Sequence, residues 1–539
     1  MTSSGFRSVV LSALAVCVTG APIEIFVDPI NGVDTLPTFP SLPPSSSTRP
    51  LRTLHAAQLH VRAAVAADAD EAVVVQLLPG LHSTSATLTL GPLDSGRDAQ
   101  RRVTWRSFDP SAPATIGAPI RVTGWKPHRT NAAAFSAPLP ENITAQSALR
   151  QLWVNGIRAQ RPRIYGHGRQ TGDNKQGYCL NLTNITATDM YATKTCHLYF
   201  TTIMTVLSIY FISKKLFRYP EGSQFSFVGE NATDPRMWSN PGDVEFVYTS
   251  CDAINCWIEP RCTVSNVDAS TGAVTLHQED NSSCYHRLYY YAQCFANGKG
   301  PGRTGDRGVN PTHLENVEGN WSYPGQFYYD RKNASIGYIP RKGETVADLE
   351  STAVTSVTET ILLVNGTSNL VWEGIHFEYA TWLGASGPKG FVDTQSAYLC
   401  QEGEPPSNIA LVNAQNISFN GCSFAHLGGV YALSALGATQ GVVVSNSTFT
   451  DISGGGVKLG SAGERGAPSP PASTEPSEQD RGFVVSDCTF SDIPVEYSGA
   501  NPIFVAYVRY LGKREWRGEE KKRREERREE RGERSAAAQ

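Results

Sequence analysis

Three stretches near the end of the chain decide its fold: Asn416-Ile-Ser-Phe-Asn420-Gly-Cys422-Ser-Phe424-Ala-His426-Leu427, Val442-Val-Val-Ser-Asn446-Ser447-Thr-Phe449-Thr-Asp451-Ile452, and Phe483-Val-Val-Ser-Asp487-Cys488-Thr-Phe490-Ser-Asp492-Ile493. Each is a short β-branched run, a polar turn and a second run centred on phenylalanine. Phe424 and Phe449 are 25 residues apart, whereas Phe449 and Phe490 are 41 apart because a Pro/Ser/Glu-rich stretch near Ser461 to Asp480 intervenes. An earlier relative, Leu370-Val-Trp-Glu-Gly-Ile375-His-Phe377, extends the series. Short strands repeating every 20 to 30 residues around one aromatic predict an all-β right-handed parallel β-helix, a solenoid whose successive coils stack about 4.8 Å apart. Phe424, Phe449 and Phe490 then form an internal stack, and Asn413 and Asn446 are candidates for side-chain ladders between coils. The competing fold is an antiparallel sandwich.

Toward the N-terminus the same β-rich texture returns after one helix. Thr53 is a plausible N-cap, and Leu54, Ala57, Val61, Ala64 and Val65 share one helical face. The runs 72–78, 86–90, 103–108 and 120–125 follow, separated by Pro/Gly breakers. Residues 22–130 are therefore expected to form an N-terminal cap and first coils, and 361–510 the later coils. Between them, 131–360 lacks the period and reads as an inserted β-rich, Cys-rich region, with two strands and a turn between Trp321 and Pro340. The apolar stretch Leu198 to Ile212 is short for a membrane span and is expected to be a buried strand pair or a translated intron. Residues 511–539 are dominated by Arg, Lys and Glu and are expected to be a disordered tail.

A chain of 539 residues with net charge −4 gives no support to nucleic-acid binding. Arg7, the apolar run Val9 to Val18 and Thr19-Gly20-Ala21 form a signal-peptide pattern over 1–21, so the chain is expected to be secreted. Two features agree with that compartment. Glycosylation sequons occur at Asn142, Asn181, Asn184, Asn231, Asn281, Asn320, Asn333, Asn365, Asn416 and Asn446, and cysteines cluster from Cys179 to Cys294, where disulfides are expected. No zinc spacing accompanies them, no cofactor motif is present, and a monomer is expected.

Scattered motifs across the chain, weak singly, carry a family resemblance as a set. Gly80-Leu-His, Gly91-Pro-Leu-Asp-Ser-Gly96, Val103-Thr-Trp-Arg106, Val122-Thr-Gly-Trp-Lys126, Leu152-Trp-Val-Asn-Gly156 and Ala159-Gln-Arg-Pro162 resemble the front half of bacterial right-handed β-helix proteins. Gly374-Ile-His-Phe-Glu378, Thr381-Trp382, Gly390-Phe-Val-Asp393, His426-Leu-Gly428, Asp451-Ile-Ser-Gly454 and Val495-Glu496-Tyr497 resemble their back half. The set is similar to glycoside hydrolase family 141, which includes α-L-fucosidase and xylanase activities. The resemblance implies a polysaccharide or glycan substrate, and members of that family continue for further coils where this chain has its charged tail.

Glycoside hydrolysis needs two carboxyl groups. Asp451 and Asp492 hold the same place in consecutive repeats, two residues after the stacked Phe, and adjacent coils suit the roughly 5 to 5.5 Å of a retaining pair. They are the first candidates, Glu496 is a third catalytic candidate, and Glu378 and Asp393 are held in reserve. His426, one coil earlier in the same place, Trp382 and Asp393 are candidate sugar-binding residues. Capping by turn aspartates is the competing account of the pair. Two other functions stay open: a polysaccharide lyase using Lys458 or Arg481, and a non-catalytic carbohydrate-binding or cell-wall protein.

Overall fold

The computed structural model describes residues 21–506 apart from 38–48, 68–70, 85, 142, 144–148, 166–223, 226–233, 248–257, 277–312, 318–320, 388–390, 394–404, 461–474 and 498–499. The expectations for 1–20, 198–212 and 511–539 fall outside these residues. The described chain is mostly strand, with parallel sheets and few helices.

Three parallel sheets form the main body. Sheet 1 takes Ile23–Val27, Val73–Leu77, Val103–Ser107, Ser368–Glu373, Gln415–Asn420, Gln440–Ser445 and Val484–Ser486 in that spatial order. Sheet 2 takes Gly80–Ser83, Ala114–Gly117, His376–Ala380, Ser423–Leu427, Thr448–Ile452 and Thr489–Ser491. Sheet 3 runs from Leu88–Leu90 through Leu362–Asn365, Ile409–Val412, Tyr431–Leu436 and Gly455–Leu459 to Ile503–Val505. From Ile409 onward the chain visits sheets 3, 1 and 2 in strict rotation, each strand pairing in parallel with the equivalent strand one turn later.

That register stacks like on like. Phe377, Phe424, Phe449 and Phe490 form one inward column with ring centroids 5.3, 4.5 and 4.8 Å apart. Trp105, Trp372 and Phe419 form a second, at 5.5 and 6.2 Å. The expected phenylalanine stack is thus present and gains one earlier member. Polar turns stack as well: the Asn416 amide donates to Asn369 (2.6 Å) and the Asn446 amide to Asn420 (2.9 Å).

Helix α1, Leu54–Ala66, begins where Thr53 Oγ1 accepts from the Ala56 N–H (3.1 Å), as the sequence implies. Its buried face includes Leu54, Ala57, Val61 and Ala64, packed on the first strands.

Strands at Val103–Ser107, Ala114–Gly117 and Leu88–Leu90 pair directly with Ser368–Glu373, His376–Ala380 and Leu362–Asn365. The early and late coils are therefore continuous in space, and the chain between them folds outside the three sheets. A two-residue turn at Asn155-Gly156, with φ of 52° and 69°, joins the antiparallel pair Trp153–Val154 and Ile157–Arg158. This Asn-Gly hairpin extends through Val354–Thr355 to Ile120–Arg121. Phe327–Asp330 pairs with Ser335–Tyr338, the two strands expected there, and Phe135–Pro138 and Lys126–Pro127 continue that sheet. Another antiparallel group joins Arg163–Tyr165, His313–Glu315, Glu245–Val247, Ile258–Val267 and Val274–Leu276 around its own core, in which Cys262 is buried. The other cysteines from Cys179 to Cys294 lie outside the described residues.

Phe449 is fully buried and stacked on both sides, so its removal opens a cavity that neighbouring coils cannot close. Phe449→Ala is expected to destabilise the protein by about 3 to 5 kcal/mol in chemical denaturation. An exposed outward control, Thr448→Ala in the same strand, is expected to change it by less than about 1 kcal/mol.

Candidate functional site

A parity argument brings the candidate residues outward. In a regular strand the residues at i and i+3 face opposite sides. Yet Phe377 and Ala380, Phe424 and Leu427, and Phe449 and Ile452 are all buried in the core. One residue between the members of each pair must break the pleat, and Tyr379, His426 and Asp451 do so with φ of 58°, 55° and 51°, as does Asp492 (50°) between the half-buried Phe490 and Ile493. This left-handed backbone costs a non-glycine residue of order 1 kcal/mol. It turns two successive side chains outward on each coil, and the four residues form one row across sheet 2.

Three members of the row, Tyr379, His426 and Asp451, are met from outside by Trp153 of the Asn-Gly hairpin. Asp451 receives three donors: Arg158 Nε on Oδ1 (2.5 Å), and Trp153 Nε1 (2.9 Å) and His426 Nδ1 (2.7 Å) on Oδ2. Arg158 also donates to the backbone oxygens of Leu427 (3.0 Å) and Asp451 (2.9 Å), to Ser453 Oγ (3.0 Å) and to Glu496 Oε1 (3.3 Å). Its guanidinium lies 5.0 Å from the Trp153 ring. The Tyr379 and His426 rings stack at 5.2 Å, and Trp153 meets Tyr379 edge-on at 5.5 Å.

Electrostatics separates the acids. Burial opposes ionisation of Asp451, but the Arg158 charge and the His426 and Arg158 hydrogen bonds outweigh it and hold the carboxyl down at about 2. Glu378, on the next-but-one coil, is pushed upward by burial against the pull of His426 and His376. His376 Nδ1 lies 3.8 Å from its carboxylate. Burial, reinforced by the negative charges of Glu378 and Asp451, raises Tyr379 to about 12.

Of the expected residues, Asp451, Glu496 and His426 are brought together. Glu496 accepts from Gln151 Nε2 (2.9 Å) as well as from Arg158, and its backbone oxygen accepts from Arg261 (3.3 Å). Gln151 reaches Glu496 over Gly428, where a Cβ would come within 2.7 Å of Gln151 Oε1. Arg261 in turn is paired with Glu259 (2.5 Å) and Glu315 (2.6 Å), in a buried network with Arg150, Arg161 and Glu245.

Other expectations need correction. Asp492 shares the row with Asp451 but is exposed, and among the described residues no hydrogen bond or ion pair holds its carboxylate. Trp382 is buried edge-on against Tyr497 (5.6 Å) in a small core with Val430 and Tyr431, so its ring offers no face to a sugar. Asp393 ends a strand whose backbone pairs with Ile258–Pro260 and belongs to a sheet other than sheet 2. Lys458, a base candidate for the lyase chemistry, is buried under the Phe504 ring at 5.8 Å. Asn333, Asn365 and Asn446 are exposed, as glycosylation requires, but Asn416 is half-buried with its amide donating to Asn369 and accepting from Arg102 (2.9 Å). The remaining six sequons lie outside the described residues. Trp153, which a motif named without a role, and Arg158, which lies between two motifs and was not named, are central; the Asn155-Gly156 turn signal is what could have pointed to their hairpin.

No protein-family model matches the chain and no curated protein matches it. Among solved structures, one described as a glycoside hydrolase aligns over 90% of this chain and 76% of its own, with 19% identity and a TM-score of 0.66. The chain therefore has a glycoside-hydrolase-like fold. A second, a complex of XylC with xylose, aligns over 87% of this chain and 68% of its own with 9% identity and a TM-score of 0.25, too low to mark a shared fold.

The Asp451 ion pairs carry a pH signature. A carboxyl held at about 2 when folded, against an ordinary 3.8, adds stability that is fully present above the unfolded value and is lost as pH falls through the folded one. Asp451→Asn is expected to remove about 2 kcal/mol of pH-dependent stability between pH 5 and 2, read as a flatter denaturation midpoint across that window than in the parent.

Proposed function

We propose that this chain is a secreted, N-glycosylated right-handed parallel β-helix protein that hydrolyses glycosidic bonds of a complex carbohydrate, as its resemblance to glycoside hydrolase family 141 implies. The strict rotation through three parallel sheets supports the β-helix, and the strong preference for right-handed crossovers between parallel strands supports the hand. A signal peptide at 1–21 and disulfides in the inserted region belong to the same reading. A monomer acting on a polysaccharide or glycan is the expected form.

One observation carries the catalytic part: Asp451 is a half-buried carboxylate kept ionised by Arg158 and His426, with the fully buried Trp153 donating to it and half-buried Tyr379 packed edge-on to Trp153. Hydrolysis passes through a sugar ring with positive charge at the anomeric carbon. A fixed, ionised carboxylate whose hydrogen bonds prevent it from reorienting is suited to face that charge. Arg158 is a positioning residue that ties Asp451 to Glu496, and Glu496 holds Arg158 in turn. Asp492, exposed one coil further on, is placed to bind a sugar hydroxyl. The buried position of Lys458 weighs against a lyase that uses that amine as its base, while Arg481 is half-buried and donates to Gln440 (3.0 Å).

The full-length protein, expressed through a secretory pathway, is expected to release reducing sugar from one of two probe sets: aryl α-L-fucosides with fucosylated polysaccharides, or aryl β-xylosides with xylans. Asp451→Asn is expected to lower the rate by at least about 100-fold with a thermal midpoint at pH 7 shifted by only a few degrees. Binding of these glycans without product from the parent protein would replace the hydrolase by a carbohydrate-binding role.

A further inference from the structure

We propose that Glu378, rather than either aspartate of the row, is the acid that protonates the departing oxygen; the inference rests on the hydrolase reading above. Glu378 belongs to the second outward row of sheet 2, the one immediately before the left-handed residues. Register sets that row as Glu378, Ala425, Thr450 and Ser491 on successive coils. Glu378 and Thr450, the residue preceding Asp451, are thus two strand spacings apart, roughly 10 Å at the backbone. Between them stands Ala425, whose methyl group is the smallest side chain of the four and is itself buried. The two carboxyl groups flank that low point, and His426 stands beside it, close enough to act electrostatically on Glu378 while bonding Asp451.

The partners of the two acids differ in kind. Asp451 is met by three donors, one of them an arginine, and so stays a carboxylate. The ionic neighbour of Glu378 among the described residues is His376 at 3.8 Å, beyond hydrogen-bond reach, and no arginine pairs with it. Its side chain is 18% exposed, open enough to meet a substrate yet enclosed enough to disfavour its charged form. Asp492 lacks that enclosure, and Glu496 is tied down by Arg158 and Gln151. Two acids whose surroundings push protonation in opposite directions are what a proton donor and a charge-stabilising carboxylate require.

In the step itself, the bond between the anomeric carbon and the glycosidic oxygen breaks, and its electron pair leaves with the oxygen. The Glu378 proton passes to that oxygen. Water adds its hydroxyl to the anomeric carbon, and its remaining proton restores the acid.

The test compares leaving groups on the full-length enzyme, using the active aryl glycoside series with 2,4-dinitrophenyl and unsubstituted phenyl leaving groups. Dinitrophenolate departs without protonation, whereas phenolate and sugar alkoxide need it. Glu378→Gln is expected to lose about 100-fold or more on the phenyl glycoside and on polysaccharide, less than about 10-fold on the dinitrophenyl glycoside, and to lose the alkaline limb of the kcat/KM profile. Asp451→Asn is expected to fail on both leaving groups, and Asp492→Asn to keep the parent's leaving-group dependence. An equal loss on both substrates in Glu378→Gln, or the leaving-group signature appearing in Asp492→Asn instead, overturns the assignment while the hydrolase reading stands. A parent protein that hydrolyses neither glycoside nor polysaccharide removes the hydrolase reading and this inference with it.

Discussion

One geometric constraint runs through the later coils: on three strands of sheet 2 two buried side chains face inward three residues apart. Phe449 and Ile452 satisfy it only because Asp451 between them leaves the extended backbone. The same kink occurs at Tyr379, His426 and Asp492, so the exposed surface inherits a straight row of outward side chains from a demand of the core. Histidine and aspartate tolerate the left-handed region better than most residues, and these are also residue types that carry charge and proton chemistry. Packing and chemistry thus select the same positions. The strained backbone is sustained by the phenylalanine column beneath it, whose stacked rings fix the register coil by coil.

Arg158 donates to the backbone oxygens of Leu427 and Asp451, the former also accepting from the Ser453 N–H in the ladder. One guanidinium therefore joins two coils of sheet 2 to the hairpin outside and to Glu496 near the end of the chain. Behind Glu496 the arginines and glutamates around Arg261 are almost completely buried. Such a network contributes little net stability when compared with apolar packing, but it strongly penalises any displaced partner. Its effect is to fix where the outer sheets meet the coils. The site is accordingly a junction between two independently cored parts of the chain, and its geometry depends on both.

Much of this was legible in the residues. The period, the inward phenylalanines, the N-cap at Thr53 and the strands near Phe327 and Ile336 follow from local patterning, since each depends on neighbours within a few residues or on an exact repeat. That Asp451 faces outward follows from the burial of both Phe449 and Ile452, which the structure shows and their spacing alone does not. Trp382 offers no sugar platform because it is buried against Tyr497, 115 residues away in sequence, a depth that no local pattern marks. Asp492 repeats the local pattern of Asp451 faithfully, yet the two stand in different surroundings because the hairpin covers only one of them.

The sequence by itself determined the coil and its inward columns, because both arise from periodic burial of apolar side chains against identical neighbours. Only the tertiary structure decided which member of the row is charged, partnered and enclosed. Trp153 and Arg158 reach Asp451 across 298 and 293 residues. No period links those positions: long-range contacts between unlike segments are fixed by the shapes of two finished surfaces, and a linear pattern does not encode them.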